Sequence, residues 1–512
     1  MKKSVINNII IVLACSLVAK GLSYIWEASL AAYLGANDEA DCLYMMVSIF
    51  NILYPVIDIG IWKVFMPIYK TKLAKNENVQ ANTFANISIS FFFVLSLVLI
   101  AILVAFAKPL TVLIAPGFSP EKKSITAQFI RIAAPLYLTM ATSSVLGAIL
   151  QSHGKFFGSQ LREIGASASK ILFLMVCYKY FGIYAAVSAF IVGSICRVII
   201  QLPFINWEWK FKPDFHFKNK DILTMLKGLP SVALTSAVSH INSLIDRVFA
   251  SNSFSGSVAC LNYGNKLMNV FSGMVSASIS TATYPTMIQY IAEKNESKLK
   301  DLLANTIDAL TYIIIPISLY CILFAKKIVI IAFQRGAFDA SATQLTATIF
   351  IGYSVGMLFI GLRTVISNVF YGYGDTKITM YITIFGIALN VGLNFLLYHF
   401  WGVAGLAFAT SISGAACHFI RLWFLRKFIS FDYKHMFLET GKILMISIFS
   451  VGSSFLLFYY VIHVNPYIQI ACSFILAVVI FFLCSKVFHI YTYEYIIKLI
   501  KNRINKKTKS QQ

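Results

Sequence analysis

Residues 87–106 read ISISFFFVLSLVLIAILVAF, a stretch without a single charge. Its length matches the roughly 20 apolar residues that carry one helix across a bilayer. A helix is the form such a segment takes in hydrocarbon, because it satisfies its own backbone donors and acceptors where no water reaches. Comparable runs recur, for example Tyr312–Phe324 and Ser447–Val464, from end to end of the 512 residues. The whole chain is 58% hydrophobic and only 12% charged. No single soluble core can hide that balance, since much of any globule's surface must be wetted. The reading is an all-α polytopic membrane protein with about 14 transmembrane helices. They fall near 5–34, 42–69, 83–107, 124–150, 158–178, 182–205 and 222–250. The remainder fall near 255–291, 302–325, 341–371, 377–399, 402–428, 439–463 and 467–489.

The net charge of +22 does not point to nucleic acid, because Lys and Arg sit in short segments between apolar runs. One set of loops holds Lys70, Lys72 and Lys75, then Lys155 and Arg162, then Lys210, Lys212, Lys218 and Lys220. The same side takes Lys294, Lys298 and Lys300, then Arg426, Lys427 and Lys434, and the tail Lys501, Arg503, Lys506, Lys507 and Lys509. The opposite loops are poor in bases, and Gly35–Asp41 carries Asp38, Glu39 and Asp41. Positive charge resists translocation, so both termini are expected in the cytoplasm. Met1-Lys2-Lys3 and the apolar stretch after it resemble a signal peptide, but Lys20 and Glu27 interrupt the segment, which reads as a retained first helix. The nine cysteines lie singly in apolar runs with no CxxC pair and read as small buried hydrophobes. No nucleophile–base grouping, HExxH or phosphate loop suggests an enzyme, and the sequons at Asn86 and Asn295 read as inert.

Self-comparison divides the chain. Glu27 matches Asp246; Met66-Pro67-Ile68 matches Tyr284-Pro285-Thr286. Ala115-Pro116-Gly117-Phe118 matches Arg335-Gly336-Ala337-Phe338, and Gln151-Ser152-His153-Gly154 matches Tyr371-Gly372-Tyr373-Gly374. All four pairs hold an offset of roughly 220 residues with an even number of spans between partners, the mark of a parallel repeat. Two six-helix lobes are expected, 1–212 and 213–432, followed by an extra helix pair at 433–495 and a basic cytoplasmic tail at 496–512.

Ionisable side chains in hydrocarbon cost about 2.5–3.5 kcal/mol each and normally face a bundle interior or wet cavity. They gather on the first helices of each half: Lys20, Glu27, Asp58 and Lys63, then Asp246, Arg247 and Lys266, with Arg363 in span ten. A cavity lined by Lys20, Glu27, Asp58, Arg247, Lys266 and Arg363 is net basic and suits an anion such as a pyrophosphate. The competing reading is internal ion pairs, Glu27–Lys20 or Asp58–Lys63, that only hold helices together. Asn390 and Asn394 share one helical face, near Thr410 in the next span. With Asp246 these oxygens suit a hard cation such as Na⁺, or they are plain interhelical hydrogen bonds.

Several stretches carry a family resemblance: Gly35-Ala36 with Asp41, Ala115-Pro116-Gly117-Phe118, Gly147-Ala148-Ile149-Leu150-Gln151 and the run Ile241–Ser251 (INSLIDRVFAS). Gly256-Ser257-Val258 and Phe333-Gln334-Arg335-Gly336-Ala337-Phe338 complete the set. In these the chain resembles the MurJ/MviN family of lipid II flippases, within the MOP exporter superfamily, over approximately residues 5–430. The resemblance implies two lobes around a cavity for a pyrophosphate–sugar headgroup and two extra helices for the polyprenyl tail. It also implies a multi-pass protein of the bacterial plasma membrane that flips a lipid-linked glycan by alternating access, among membrane lipids and cell-wall synthesis proteins. Lys20 and Lys266 fall where the family has arginines, Glu27 at its helix-one aspartate, and Asp246, Asn390, Asn394 and Thr410 where some members resemble a sodium site. Trp26 and Tyr54-Pro55 depart, standing where arginine is expected. A flippase for another lipid-linked oligosaccharide and a cation-coupled drug exporter remain alternatives. No cofactor is implied beyond Na⁺ coupling or the membrane potential.

Overall fold

The structure, a computed structural model, describes residues 2–205, 211–462, 465–495 and 497–498, and their side chains except at 2–10, 13, 56, 228, 230–239 and 274. Lys210 and the tail bases from Lys501 onward lie outside the described residues. All regular structure among those residues is helical.

The chain forms two compact units, Met1–Ala259 with Arg335–Asp339, and Cys260–Gln334 with Ala340–Gln512. The first unit starts with α1 (Lys2–Leu34) and α2 (Asp38–Gly60), which passes through a π-turn at Ile61–Phe65 into α3 (Met66–Ala74). It continues with α4 (Asn78–Ala105), α5 (Ala107–Ile114), α6 (Pro120–Ala133), α7 (Leu136–Ser152), α8 (Phe156–Phe181), α9 (Ile183–Gln201) and α10 (Lys220–Ala250). Next, α11 (Ser257–Ala292) begins in the first unit and leads into the second. There follow α12 (Glu296–Leu323), α13 (Ala325–Phe333), α14 (Ala340–Val355), α15 (Met357–Gly372), α16 (Thr376–Leu425), α17 (Tyr433–Leu456) and α18 (Pro466–Val487). Kinship and packing divide the chain differently. The repeat assigns α10 to the second half, while its side of the fold is against α2 in the first unit.

Eight helices among the described residues are long and apolar enough to cross a membrane, and two bent pairs raise this to ten. Spans four and ten, expected to be continuous, are broken: α6 meets α7 at 43° and α14 meets α15 at 40°. Pro135 lies at the first break, where it removes a helical N–H and clashes with the preceding turn. Within α16 two helices meet at a kink at Gly402, whose non-helical φ of 55° and ψ of −140° suit glycine, so spans eleven and twelve are separate as expected. The long helices α1, α10 and α11 carry Lys20, Glu27, Asp246, Arg247 and Lys266.

The backbone repeats itself. Left-handed residues pair up as Gly35 with Gly256, Asn76 with Lys294, Gly154 with Gly374, and Gly182 with Gly402, at φ values between 52° and 85°. Each pair is separated by about 220 residues, the offset of the sequence repeat. Short helices α5 and α13, not anticipated from hydropathy, occupy matching places, as do the two bends.

Aromatic packing fills the first unit's core at Phe65, stacked on Tyr69 (5.5 Å) and Phe84 (5.1 Å). In the second unit the extra pair docks through Tyr312, Ile315, Ile443, Ile446, Phe481 and Ile490. Tyr320 fixes the register by donating to the Ile470 carbonyl at 2.8 Å.

Candidate functional site

On α1, Lys20 is exposed, whereas Glu27, two turns on, is buried and accepts a hydrogen bond from Tyr44 of α2 at 2.9 Å. Shared helical phase does not give them a shared environment, since Tyr44 reaches Glu27 while Lys20 stays exposed. Trp26 is buried edge-on to Phe190 at 5.6 Å, and Lys170 of α8 places its Nζ 5.1 Å from the Trp26 ring. A cation therefore stands beside the position where the resemblance led to an arginine.

Asp58 lies in a network that spacing did not reveal. It accepts from Tyr54 (3.1 Å), from Trp62 Nε1 (3.3 Å) and from Ser144, and it pairs with Arg162 Nη1 at 3.6 Å. Arg162 approaches Glu163 at 3.5 Å, Glu163 pairs with Arg197 at 2.7 Å, and Arg197 Nη1 donates back to the Tyr54 hydroxyl at 3.0 Å. The ring closes across α2, α8 and α9 with two guanidinium groups balanced by two carboxylates. Arg162 also covers Trp62 (5.2 Å) and Arg197 covers Tyr54 (5.7 Å). Arg162 thus corrects an expectation: it is no loop charge but a buried residue within α8. The arginines that α2 lacks come from α8 and α9, a substitution only spatial proximity discloses.

Arg247 of α10 is tied to α2, donating from Nη1 to Ser48 Oγ (2.5 Å) and to the Tyr44 carbonyl (3.3 Å). Its neighbour Asp246 is buried in the same unit. In the second unit Lys266 is half-buried on α11, and Arg363 is exposed on α15.

Asn390, Asn394 and Thr410 come together as their spacing suggested. Asn394 Nδ2 donates to Asn390 Oδ1 at 3.1 Å, and Asn390 Nδ2 to Thr410 Oγ1 at 3.3 Å. Thr410 donates on to the Leu406 carbonyl at 3.1 Å. Asn390 Oδ1 and Thr410 Oγ1 thus each accept one hydrogen bond here, and each has a second lone pair. No cluster of three His, Cys, Asp or Glu side chains suits a metal among the described residues.

The motif loops of the base-poor side meet in the first unit, which sequence reading did not foresee. Asp41 is 1% exposed and accepts from the Gly256 and Ala259 N–H groups at 2.8 and 2.9 Å, satisfying orphan donors at the start of α11. Lys122 pairs with Asp38 at 2.5 Å and reaches Asp41 at 3.7 Å. The Ala337 N–H donates to the Ala32 carbonyl at 2.8 Å, satisfying an orphan acceptor at the end of α1. Gly35 and Gly336 allow this approach: a Cβ on either would sit 2.2 Å from a backbone oxygen, of Ala337 and of Ala32 respectively.

Fold and site together define a multi-pass α-helical membrane protein with the architecture of the MOP transporters. A solved structure titled "Lipid II flippase MurJ, inward closed conformation" matches with a TM-score of 0.80 over 95% of this chain and all of that one, at 21% identity. A multidrug resistance MATE family transporter of the MOP superfamily, inward-facing, matches at 0.68 over 80% of this chain and 94% of that one, at 15% identity. The family profile described as lipid II flippase MurJ matches residues 30–483, so the chain belongs to the MurJ family. Among curated relatives, the probable lipid II flippase MurJ of Buchnera aphidicola subsp. Acyrthosiphon pisum is 27% identical over 420 residues, covering 80% of this chain and 81% of the relative. That of Rickettsia prowazekii is 25% identical over 409 residues, covering 79% and 80%.

Proposed function

We propose that this chain flips a polyprenyl-pyrophosphate-linked sugar precursor, lipid II for peptidoglycan synthesis, from the cytoplasmic to the outer leaflet by alternating access. The observation that carries the reading is that the long helices α1, α10 and α11 hold the ionisable residues Lys20, Glu27, Arg247 and Lys266 within otherwise apolar stretches, where charges normally face a bundle interior or a wet cavity. The names of the curated relatives support lipid II as the cargo. The protein acts in the bacterial plasma membrane with both termini cytoplasmic, as its loop charges indicate, and is a transporter rather than an enzyme. Its partners are the lipid-linked glycan, surrounding lipids and cell-wall synthesis proteins. The lobes are 1–212 and 213–432, with 433–495 guiding the lipid tail.

In this mechanism Lys20 and Lys266 neutralise the pyrophosphate while the tail stays in lipid, and Arg363 and Arg247 add positive potential. Glu27, held by Tyr44, keeps α1 and α2 in register. A charge-assisted contact is worth about 1.5–3 kcal/mol, so Lys20→Ala and Lys266→Ala should each lower transport about tenfold or more at unchanged protein level. Complementation of a flippase-depleted strain, with lipid extracts showing which precursor accumulates, measures both site and cargo. Full activity in both variants would discard the lysine assignment, and accumulation of a different lipid-linked glycan would favour the alternative cargo, for which the departures at Trp26 and Tyr54 speak.

The driving force we assign is the membrane potential, worth about 2.3 kcal/mol per charge per 100 mV for an anion leaving a negative interior. Replacing Na⁺ by K⁺ should leave transport into vesicles unchanged, whereas collapsing the potential should slow it. The opposite pattern would assign a cation to Asp246, Asn390, Asn394 and Thr410.

A further inference from the structure

Basic side chains on α15 and the second part of α16 take no part in the reading above, apart from Arg363. Arg421 is 3% exposed, yet among the described residues its Nε and Nη1 have no hydrogen-bond partner. His418, nearly one turn earlier, is 4% exposed with Nδ1 likewise unsatisfied. Arg363 shares their electrostatic neighbourhood, with Cys417 and Tyr371, and no carboxylate figures among the charges that act on Arg421. All five residues belong to the second unit.

A guanidinium cannot shed its proton in a protein, and withdrawn from water without an anion it costs several kcal/mol. A second guanidinium beside it adds repulsion. The pair Asp58–Arg162 in the first unit is the contrast, since there each arginine is matched by a carboxylate. What the Arg421 neighbourhood lacks is negative charge, and the planar fork of arginine matches a phosphoryl group with two parallel hydrogen bonds. Depth agrees with such a ligand. At 1.5 Å per residue, Arg421 lies about 7.5 Å from Arg426, at the basic end of α16, and Arg363 about 13 Å from Gly372, the C-terminal end of α15. Phosphates of a leaflet approach a membrane protein near such ends.

We propose that Arg363 and Arg421 form a phosphoryl-binding site within the second unit, reached past the exposed Arg363 side chain, with His418 and Tyr371 as further hydrogen-bonding groups. The phosphoryl group belongs either to an anionic phospholipid headgroup or to a pyrophosphate like that of the cargo. The site goes beyond the flippase reading, because binding there requires no transport.

The test uses the purified full chain and two probes. In detergent, inorganic pyrophosphate is titrated at constant ionic strength while the unfolding temperature is read. In nanodiscs of phosphatidylcholine with and without phosphatidylglycerol, retained lipid is counted by native mass spectrometry. Arg421→Gln and Arg363→Gln are each expected to weaken binding about tenfold or more. Loss of the pyrophosphate-induced stabilisation in the variants identifies a pyrophosphate site; loss of retained phosphatidylglycerol alone identifies a headgroup site. If Arg421→Gln does not fold, the exposed Arg363→Gln decides by the same readouts. Wild-type behaviour of the variants with both probes would overturn the proposal.

Discussion

Gly35→Ala and Gly336→Ala are each expected to abolish transport while leaving an intact chain in the membrane. Both glycines have left-handed backbones, at φ of 68° and 59°, a conformation costing other residues roughly 1–2 kcal/mol. Sterics add more. The added Cβ would lie 2.2 Å from the Ala337 or the Ala32 oxygen, and a backbone atom cannot rotate away as a side chain can. The loop Arg335–Asp339 would lift from the end of α1, breaking the 2.8 Å bond from Ala337 to Ala32 and leaving an orphan carbonyl. Alternating access, as proposed, needs this side to close, so the loss should fall on transport rather than insertion. Gly441→Ala on α17 is the control, since its Cβ meets nothing within 4 Å, and it should be neutral or stabilise by about 0.5–1 kcal/mol. Complementation of a flippase-depleted strain, with immunoblots of membrane fractions, checks all three. Full complementation by both loop variants would remove the loop cluster from the mechanism.

Asp58→Asn should lower stability by about 2 kcal/mol, short of the 3–5 kcal/mol of a fully buried pair because Asp58 is partly exposed. Asparagine keeps the shape but removes the charge that Arg162, 10% exposed at its side chain, has as partner. It also weakens the bonds from Tyr54, Trp62 and Ser144. Removing both partners relieves the uncompensated charge, so Asp58→Asn combined with Arg162→Gln should cost less than the two single changes added together. Unfolding in detergent, followed by tryptophan fluorescence, gives the four corners of the cycle. An unshifted transition in Asp58→Asn would return Asp58 to the role of a cavity residue without structural duty.

Much of the fold was legible because apolar length and the 220-residue offset are properties of the linear chain. Spans such as Asn78–Ala105 and Pro466–Val487 appear close to where hydropathy put them. The site was legible in part. The Asn390–Asn394–Thr410 contact follows from helical phase and one tight turn. Arg162 and Arg197 escaped notice because a charge near a span end looks the same whether water or a carboxylate from another helix meets it. The bend at Pro135 had a local signal, whereas that at Gly356 had none as strong.

By itself, then, the sequence determined a bilayer-spanning helical chain, its duplicated plan and the placing of ionisable residues on α1, α10 and α11. Each of these depends on residues a fixed distance apart along the chain. Only the tertiary structure decided which charges are neutralised within the protein and which lack an anion. It alone brought Gly35, Asp41, Gly256 and Gly336 into one cluster. Partnership of that kind is set by helices far apart in sequence, where a displacement of a few ångströms separates an ion pair from a solvated charge.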